Sequence, residues 1–436
     1  MIKIVKLPDI IQQQGKKFRT IFKNKAQYKH FKEYVTGLML CENKTFMGIQ
    51  SKYIDASSIN SLDHFMIRAE WSENEINDKR ISHLQQRIDT ASKPEGVVSL
   101  DDTLTHKTGK HIDDAEYHFD HSTGKYVLGH NLVSTQYKDR QVSYPLDYRP
   151  YYRKPTKKEL QQQYKKLDKQ MNFFQPQQYL LEKLKLLLNY QRRLQRFKSK
   201  IALAMELIHH AEAMGIKAKT YLFDSWFLCK LIITVIGSYG KNWISVLKSN
   251  RNLMIKNQKM PVSDYIKTIP QSCYRQITTK AGKCYWVFSK VVQVCSLGKV
   301  RLVISYNNHR LSGDPVVFVT NRKDWEPVKI LSTYELRWSI DAFYRDAKQH
   351  LGLEAYQLRT GKGIKRHWYL VFLAYTVLML NVQQSKLLRR FKANLSTIGE
   401  SSRALADEVT MSLILWIYKN FKNNNQVDEV LQCLIN

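Results

Sequence analysis

Three carboxylates stand where regular elements would hold them rigid: Asp101 after the apolar run VVSL, Asp224 after AKTYLF, and Asp341 inside the amphipathic stretch YELRWSIDAFYRDAK. Intervals on the order of 120 residues separate them, too long for local pairing and ordinary for a site assembled from separate elements of an α/β sheet. Converging carboxylates suit hard divalent cations, because magnesium takes few protein ligands and leaves positions for phosphate and water. Two such ions roughly 3.5–4 Å apart would activate a nucleophile and stabilise the departing oxygen of a phosphodiester.

The third stretch is expected to form one helix from Tyr334 to Lys348. At about 100° per residue, Tyr334, Arg337, Asp341 and Lys348 fall within a stripe roughly 60° wide. Leu336, Ile340, Phe343 and Ala347 occupy the other side. The plain explanation is a solvated Arg337–Asp341 pair at i,i+4, worth roughly 0.2–0.5 kcal/mol. The functional one is a carboxylate aimed at metal ions, with cations facing phosphate. Asp346 lies about 140° around the same helix from Asp341 and is not expected to share its target. Asp101 and Asp102 are neighbours on a strand and point to opposite sides, so only one of them enters the site.

The elements that would carry these residues follow from the hydrophobic texture. Residues 1–94 are helical and polar, compatible with a DNA-binding domain. Residues 95–259 open with short β-branched and aromatic runs, VVSLDD, KYVLGHNLVSTQY and RQVSYPL, read as three neighbouring strands. They continue through the helix KIALAMELIHHAEAMG into a β-α-β texture. Within them, 151–200 carries 14 Lys and Arg against three Asp and Glu, read as a helical excursion tracking phosphates. Residues 260–321 are strand-rich and read as an insertion; 322–382 hold the helix bearing Asp341; 383–436 are helical, with a basic patch SKLLRRFK.

Composition narrows the partners. Sixty-nine Lys and Arg against 38 Asp and Glu leave a formal charge of +31, most simply explained by a polyanion such as DNA. The longest apolar run, Trp368 to Leu380, is shorter than the 18 or so residues a spanning helix requires, so no membrane partner is expected. The start MIKIVKLPDIIQQQGKK has no apolar core followed by a cleavage site. Six cysteines are scattered without a C-x-x-C pair, which fits a reducing cytoplasm. His106, His111, His118, His121 and His130 lack the spacing of a zinc site and are read as surface or loop residues; Asp113, Asp114 and Asp120 are read as solvated.

The stretch Tyr334-x2-Arg337-x3-Asp341-x6-Lys348 resembles the Y-x2-R-x3-E-x6-K signature of bacterial cut-and-paste insertion-sequence transposases of the DDE class, with Asp in place of Glu. WSIDAFYRDAKQHLGL and the following YQLRTGKGIKRHWYLVFLAYTVL resemble that family's third block, LDDTLTHKTGKH its first and YLFDSWF its second. The resemblance covers roughly Val97 to Leu380. It implies an α/β fold with a ribonuclease H-like catalytic core, a β-rich insertion, and flanking helical N- and C-terminal regions. It implies that Asp101, Asp224 and Asp341 are the catalytic acids and ligands of two Mg2+ or Mn2+ ions, with Asp102 as the second choice to Asp101. By the same resemblance Tyr334, Arg337 and Lys348 would contact phosphates of the transferred strand. Trp226 and Trp338, beside the acids in sequence, would stack on an extruded base. The implied substrates are double-stranded DNA at terminal inverted repeats and a target, worked on by a homodimer in the cytoplasm, at the nucleoid. A catalytically inactive or domesticated DNA-binding protein, and a nuclease without strand transfer, are the alternatives. The Asp at 341 shortens the acid's arm by roughly 1 Å, a displacement that can cost about a hundredfold in rate.

Overall fold

The computed structural model describes residues 3–109, 111–388 and 395–422, together with Val427 and Gln432. Residues 389–392 of SKLLRRFK, and Cys433, lie outside the described residues.

The chain begins with helices α1 (Asp9–Gly15), α2 (Lys25–Leu40), α3 (Phe46–Gln50), α4 (Ile59–Ile67) and α5 (Glu73–Gln86). Each of α2 to α5 starts at an Asn, Thr or Ser whose side chain accepts a hydrogen bond from a first-turn amide. Strands β1 (Val97–His106), β2 (Glu116–Asp120), β3 (Lys125–Lys138) and β4 (Ser143–Tyr151) follow, then a helical pair, α6 (Lys157–Asp168) and α7 (Pro176–Arg196). Helix α8 (Lys200–Ala213) leads into β5 (Thr220–Phe223), α9 (Lys230–Ser238) and β6 (Asn242–Val246). A strand-rich stretch comes next: β7 (Asn252–Ile255), β8 (Gln258–Pro261), a short α10 (Val262–Lys267), β9 (Arg275–Thr278), β10 (Cys284–Val294), β11 (Gly298–Tyr306) and β12 (Val316–Thr320). Helices α11 (Pro327–Tyr334), α12 (Trp338–Leu351), α13 (Gly361–Leu388) and α14 (Ile398–Lys422) complete the described chain.

One mixed sheet runs through the molecule in the order β2-β3-β1-β5-β6-β12-β11-β10-β7-β8, with β4 also paired to β3 and β9 to β10. Strands β1, β5 and β6 are parallel and the other pairings antiparallel. The strand-rich stretch begins at Asn252, before the expected residue 260, and extends the central sheet through β12 on β6.

Helix α13 is apolar on every side between Trp368 and Leu380 because it is enclosed on every side. The N-terminal helices share its core, and two buried guanidiniums fasten the junction. Arg366 of α13 donates to the carbonyls of Phe65, Met66, Ala69 and Trp71. Arg80 of α5 donates to the carbonyls of Pro145 and Leu146 and to Thr376. Carbonyl acceptors at this density offset much of the cost of burying the two charges, and Glu73 lies 3.5 Å from Arg366 Nε. By contrast α7 buries none of its side chains, leaving Leu180, Leu181, Leu184 and Leu188 exposed.

The single helix expected from Tyr334 to Lys348 is corrected: α11 ends at Tyr334, a 3₁₀ turn spans Glu335–Arg337, and α12 starts at Trp338. Tighter winding there turns Tyr334 into the sheet while Arg337 stays on the site side. Helix α12 stops at Gly352, whose φ of 69° suits a left-handed cap. A Cβ there would come within 2.6 Å of the Lys44 side chain.

Candidate active site

Sheet register brings the first two acids together. Leu100 of β1 is paired with Phe223 of β5 in parallel, so Asp101 and Asp224 are the next residues on neighbouring strands. Asp341 arrives from the first turn of α12, where the helix dipole favours a carboxylate. Tyr344, one turn on, fixes α12 to the sheet: its hydroxyl donates to the Asp101 carbonyl at 3.1 Å and pairs with Ser134 Oγ at 2.7 Å.

Arg337 ties the first acid to the third. Its Nη1 lies 2.5 Å from Asp101 Oδ2 and its Nη2 3.5 Å from Asp341 Oδ2. Asp101 Oδ1 accepts from the Asp102 amide at 2.9 Å. Asp224 Oδ1 accepts from the amides of Trp226 and Phe227 at 3.0 and 3.3 Å, an Asx-type turn that sets its carboxylate. Asp341 Oδ2 is buried without a hydrogen-bond partner.

The electrostatics are those of crowded acids. Burial pushes the Asp101 carboxyl up to about 7; Arg337 opposes that, and Asp102 and Asp224 add to it. Burial also raises Asp341, again opposed by Arg337 and reinforced by Asp224. Carboxylates held in this state are what a functional site tends to contain. Among the described residues no three His, Cys, Asp or Glu side chains are gathered closely enough to hold a metal ion. The donor set nonetheless suits a hard cation: three carboxylates from three elements, one with a buried oxygen that makes no hydrogen bond, and repulsion that added positive charge would relieve.

Asp102 points to the other side of β1. Its Oδ2 accepts from Lys200 Nζ at 2.8 Å and from Asn131 Nδ2 at 2.9 Å. Lys200 Nζ lies 5.3 Å from the ring centres of both Tyr151 and Trp226. Asp346 is paired with Arg345, away from Asp101.

The other expected contacts divide. Trp226 and Trp338 are 47% and 60% exposed beside the acids, and Arg337 sits 5.5 Å from the Trp338 ring centre. Lys348 donates to the Leu104 carbonyl at 2.7 Å and lies 3.5 Å from Glu354. Tyr334 is a correction: it is turned inward, its ring edge-on to Phe318 at 5.0 Å and its hydroxyl donating to the Phe223 carbonyl at 3.4 Å. Placed so, its ring and hydroxyl face the protein interior. His118 and His130, expected at the surface, are buried; His130 bridges the Asp113 carbonyl and the Tyr356 hydroxyl. Sequence reasoning missed Tyr344, Asn131 and Lys200. Tyr344, three residues after Asp341, had a signal in its helical spacing; the other two had none beyond their residue type.

Two family models match the chain. The model for "DDE superfamily endonuclease" matches residues 17–268, and that for "Archaeal putative transposase ISC1217" matches 166–391, each more than half of the chain. "Putative transposase y4zB" of Sinorhizobium fredii is 23% identical over 172 residues, 38% of this chain and 44% of that relative. The match thus spans less than half of the relative's length. Among the described residues, no helix is long and apolar enough to cross a membrane. The chain belongs to the DDE superfamily of endonucleases, among its insertion-sequence transposases.

Proposed function

We propose that this chain is a DNA transposase that cuts and transfers strands at the ends of an insertion sequence, using Asp101, Asp224 and Asp341 in a ribonuclease H-like core. The observation that carries it is the register of β1 on β5, which makes two acids adjacent, with Asp341 linked to Asp101 through Arg337. The order β4-β3-β1-β5-β6, with α8 crossing between β4 and the parallel β5, supports the ribonuclease H-like reading.

Two Mg2+ or Mn2+ ions held by the three acids would supply a water nucleophile at neutral pH and stabilise charge on the departing oxygen. The residues themselves do the positioning. Arg337 orients Asp101 and Asp341 and presents a planar cation toward the phosphate. Trp226 and Trp338 offer exposed faces to unstacked bases. The basic α6–α7 pair and the N-terminal helices would grip flanking DNA, terminal inverted repeats and target being held by a homodimer in the cytoplasm, at the nucleoid.

The test is a strand-nicking and strand-joining assay with magnesium or manganese on DNA bearing the repeats that flank this gene. Nicking that is lost in Asp224→Asn and Asp341→Asn, followed by joining to a target, is expected. Nicks without joined products would mean a nuclease. Binding of the repeats with no nicking under either metal would leave a DNA-binding protein and overturn the enzymatic reading.

A further inference from the structure

Asp102, on the other side of β1 from Asp101, holds a second cation, Lys200, whose setting is unusual. It opens α8, where the positive end of the helix dipole disfavours an ammonium. It is only 18% exposed, yet its ion partner, Asp102, already has a second donor in Asn131. The Nζ stands between the rings of Tyr151 and half-exposed Trp226, next to the loop that fixes Asp224. Two separate groups thus stand at β1: Arg337 with Asp101 and Asp341, and Lys200 with Asp102. Arg337 is committed to two of those acids by a fixed planar fork. Lys200 is a point charge with rotatable donors, so exchanging one acceptor for another costs it little geometry.

We infer that Lys200 is a DNA-contacting residue of this site, held by Asp102 when DNA is absent and transferred to a backbone phosphate beside Trp226 when DNA binds. The inference rests on the DNA-processing reading above. Asp102 then acts as a competitor for the ammonium: it keeps a half-buried cation paired in the free protein and sets the threshold for its release. Asn131 keeps Asp102 hydrogen-bonded after the ammonium leaves, so the exchange strands no bare carboxylate.

The competition gives the two partners opposite signs. The full chain is titrated with a blunt 30-base-pair duplex (about that length) over a salt series, without divalent metal, and folding of each variant is checked by thermal unfolding. Lys200→Gln is expected to weaken binding and to lower the slope of log affinity against log salt by about 0.9, the loss of one phosphate contact. Lys200→Arg should keep that slope. Asp102→Asn should tighten binding, and the gain should vanish in the Lys200→Gln background. An unchanged slope in Lys200→Gln overturns the inference. So does a shift of the same sign in both single variants, which would mark a merely structural pair, or a gain from Asp102→Asn that survives without Lys200, which would mark general charge. Absence of duplex binding by the unaltered chain overturns the DNA-processing reading itself.

Discussion

Arg337 spans the two acids it serves, with Asp101 at 2.5 Å and Asp341 at 3.5 Å from separate nitrogens of one guanidinium. The pair with Asp101 is largely shielded, the side chains being 13% and 18% exposed. Removing one partner of such a pair leaves a charge without compensation. Arg337→Gln is therefore expected to lower stability by about 2 kcal/mol, less than the roughly 3–5 kcal/mol lost from fully buried pairs because solvent reaches the site. Urea denaturation of the two proteins at pH 7 measures it; equal midpoints would show that the guanidinium is dispensable to the fold.

Asp101→Asn acts the other way on the same crowding. Burial and the neighbouring Asp102 and Asp224 outweigh Arg337 in disfavouring the Asp101 carboxylate. Its amide counterpart should have a thermal midpoint at pH 8 no lower than that of the unaltered chain, while nicking is abolished. A clear drop in the midpoint would mean that the Arg337 contact dominates.

Asp341→Glu tests the length of the third acid. Lengthening the arm displaces the carboxyl group by roughly 1 Å, so nicking is expected to fall by up to about a hundredfold while DNA affinity is unchanged. Single-turnover rates decide this. A faster Glu variant would mean that the site is built for the longer acid.

Trp338 is 60% exposed, so Trp338→Ala should leave stability within about 0.5 kcal/mol. If the ring stacks on a base, affinity for DNA with an unpaired nucleotide at the cleavage position should drop roughly tenfold, with little change for perfect duplex. Fluorescence anisotropy on the two DNAs separates these.

His210 of α8 supplies a pH dependence far from the acids. Its Nδ1 lies 2.6 Å from Asp147 Oδ2, with Asp78, Arg149 and Tyr369 around the same network. The hydrogen bond to Asp147 raises the His210 pKa, although burial and Arg149 pull it down. A raised folded pKa contributes stability that is complete below the unfolded value of about 6.5 and is lost as pH rises through the folded value. The thermal midpoint of the unaltered chain should fall more steeply above pH 6.5 than that of His210→Gln. Parallel curves would remove His210 from the account.

Much of this was legible in the sequence because the informative residues sit at element ends. The apolar run before Asp101 and the one before Asp224 announce strands, and the two strands prove to be parallel neighbours. Other features had no local signature. β2, EYHFD, is short and inverts the usual alternation, burying His118 and exposing Tyr117 and Phe119. Burial of His118 and His130 comes from packing by distant elements, including Tyr356 from beyond α12. The strand-rich stretch gives no sequence hint that it lengthens the central sheet, because register belongs to pairs of strands. Alternation along the strand says that only one of Asp101 and Asp102 enters the site, not which one, and the lysine that holds Asp102 lies 98 residues away.

The short turn at Glu335–Arg337 has a bearing on the missing methylene. Each residue wound as 3₁₀ advances about 2.0 Å and 120°, against about 1.5 Å and 100° in an α-helix. Over three residues the backbone therefore carries α12 about 1.5 Å farther along its axis and about 60° farther around than an unbroken helix would. That displacement is of the same size as the reach an aspartate lacks. Reach in this site is thus a joint property of side chain and main chain, so the two should vary together: relatives with a glutamate at this position would be expected to carry an unbroken helix in front of it.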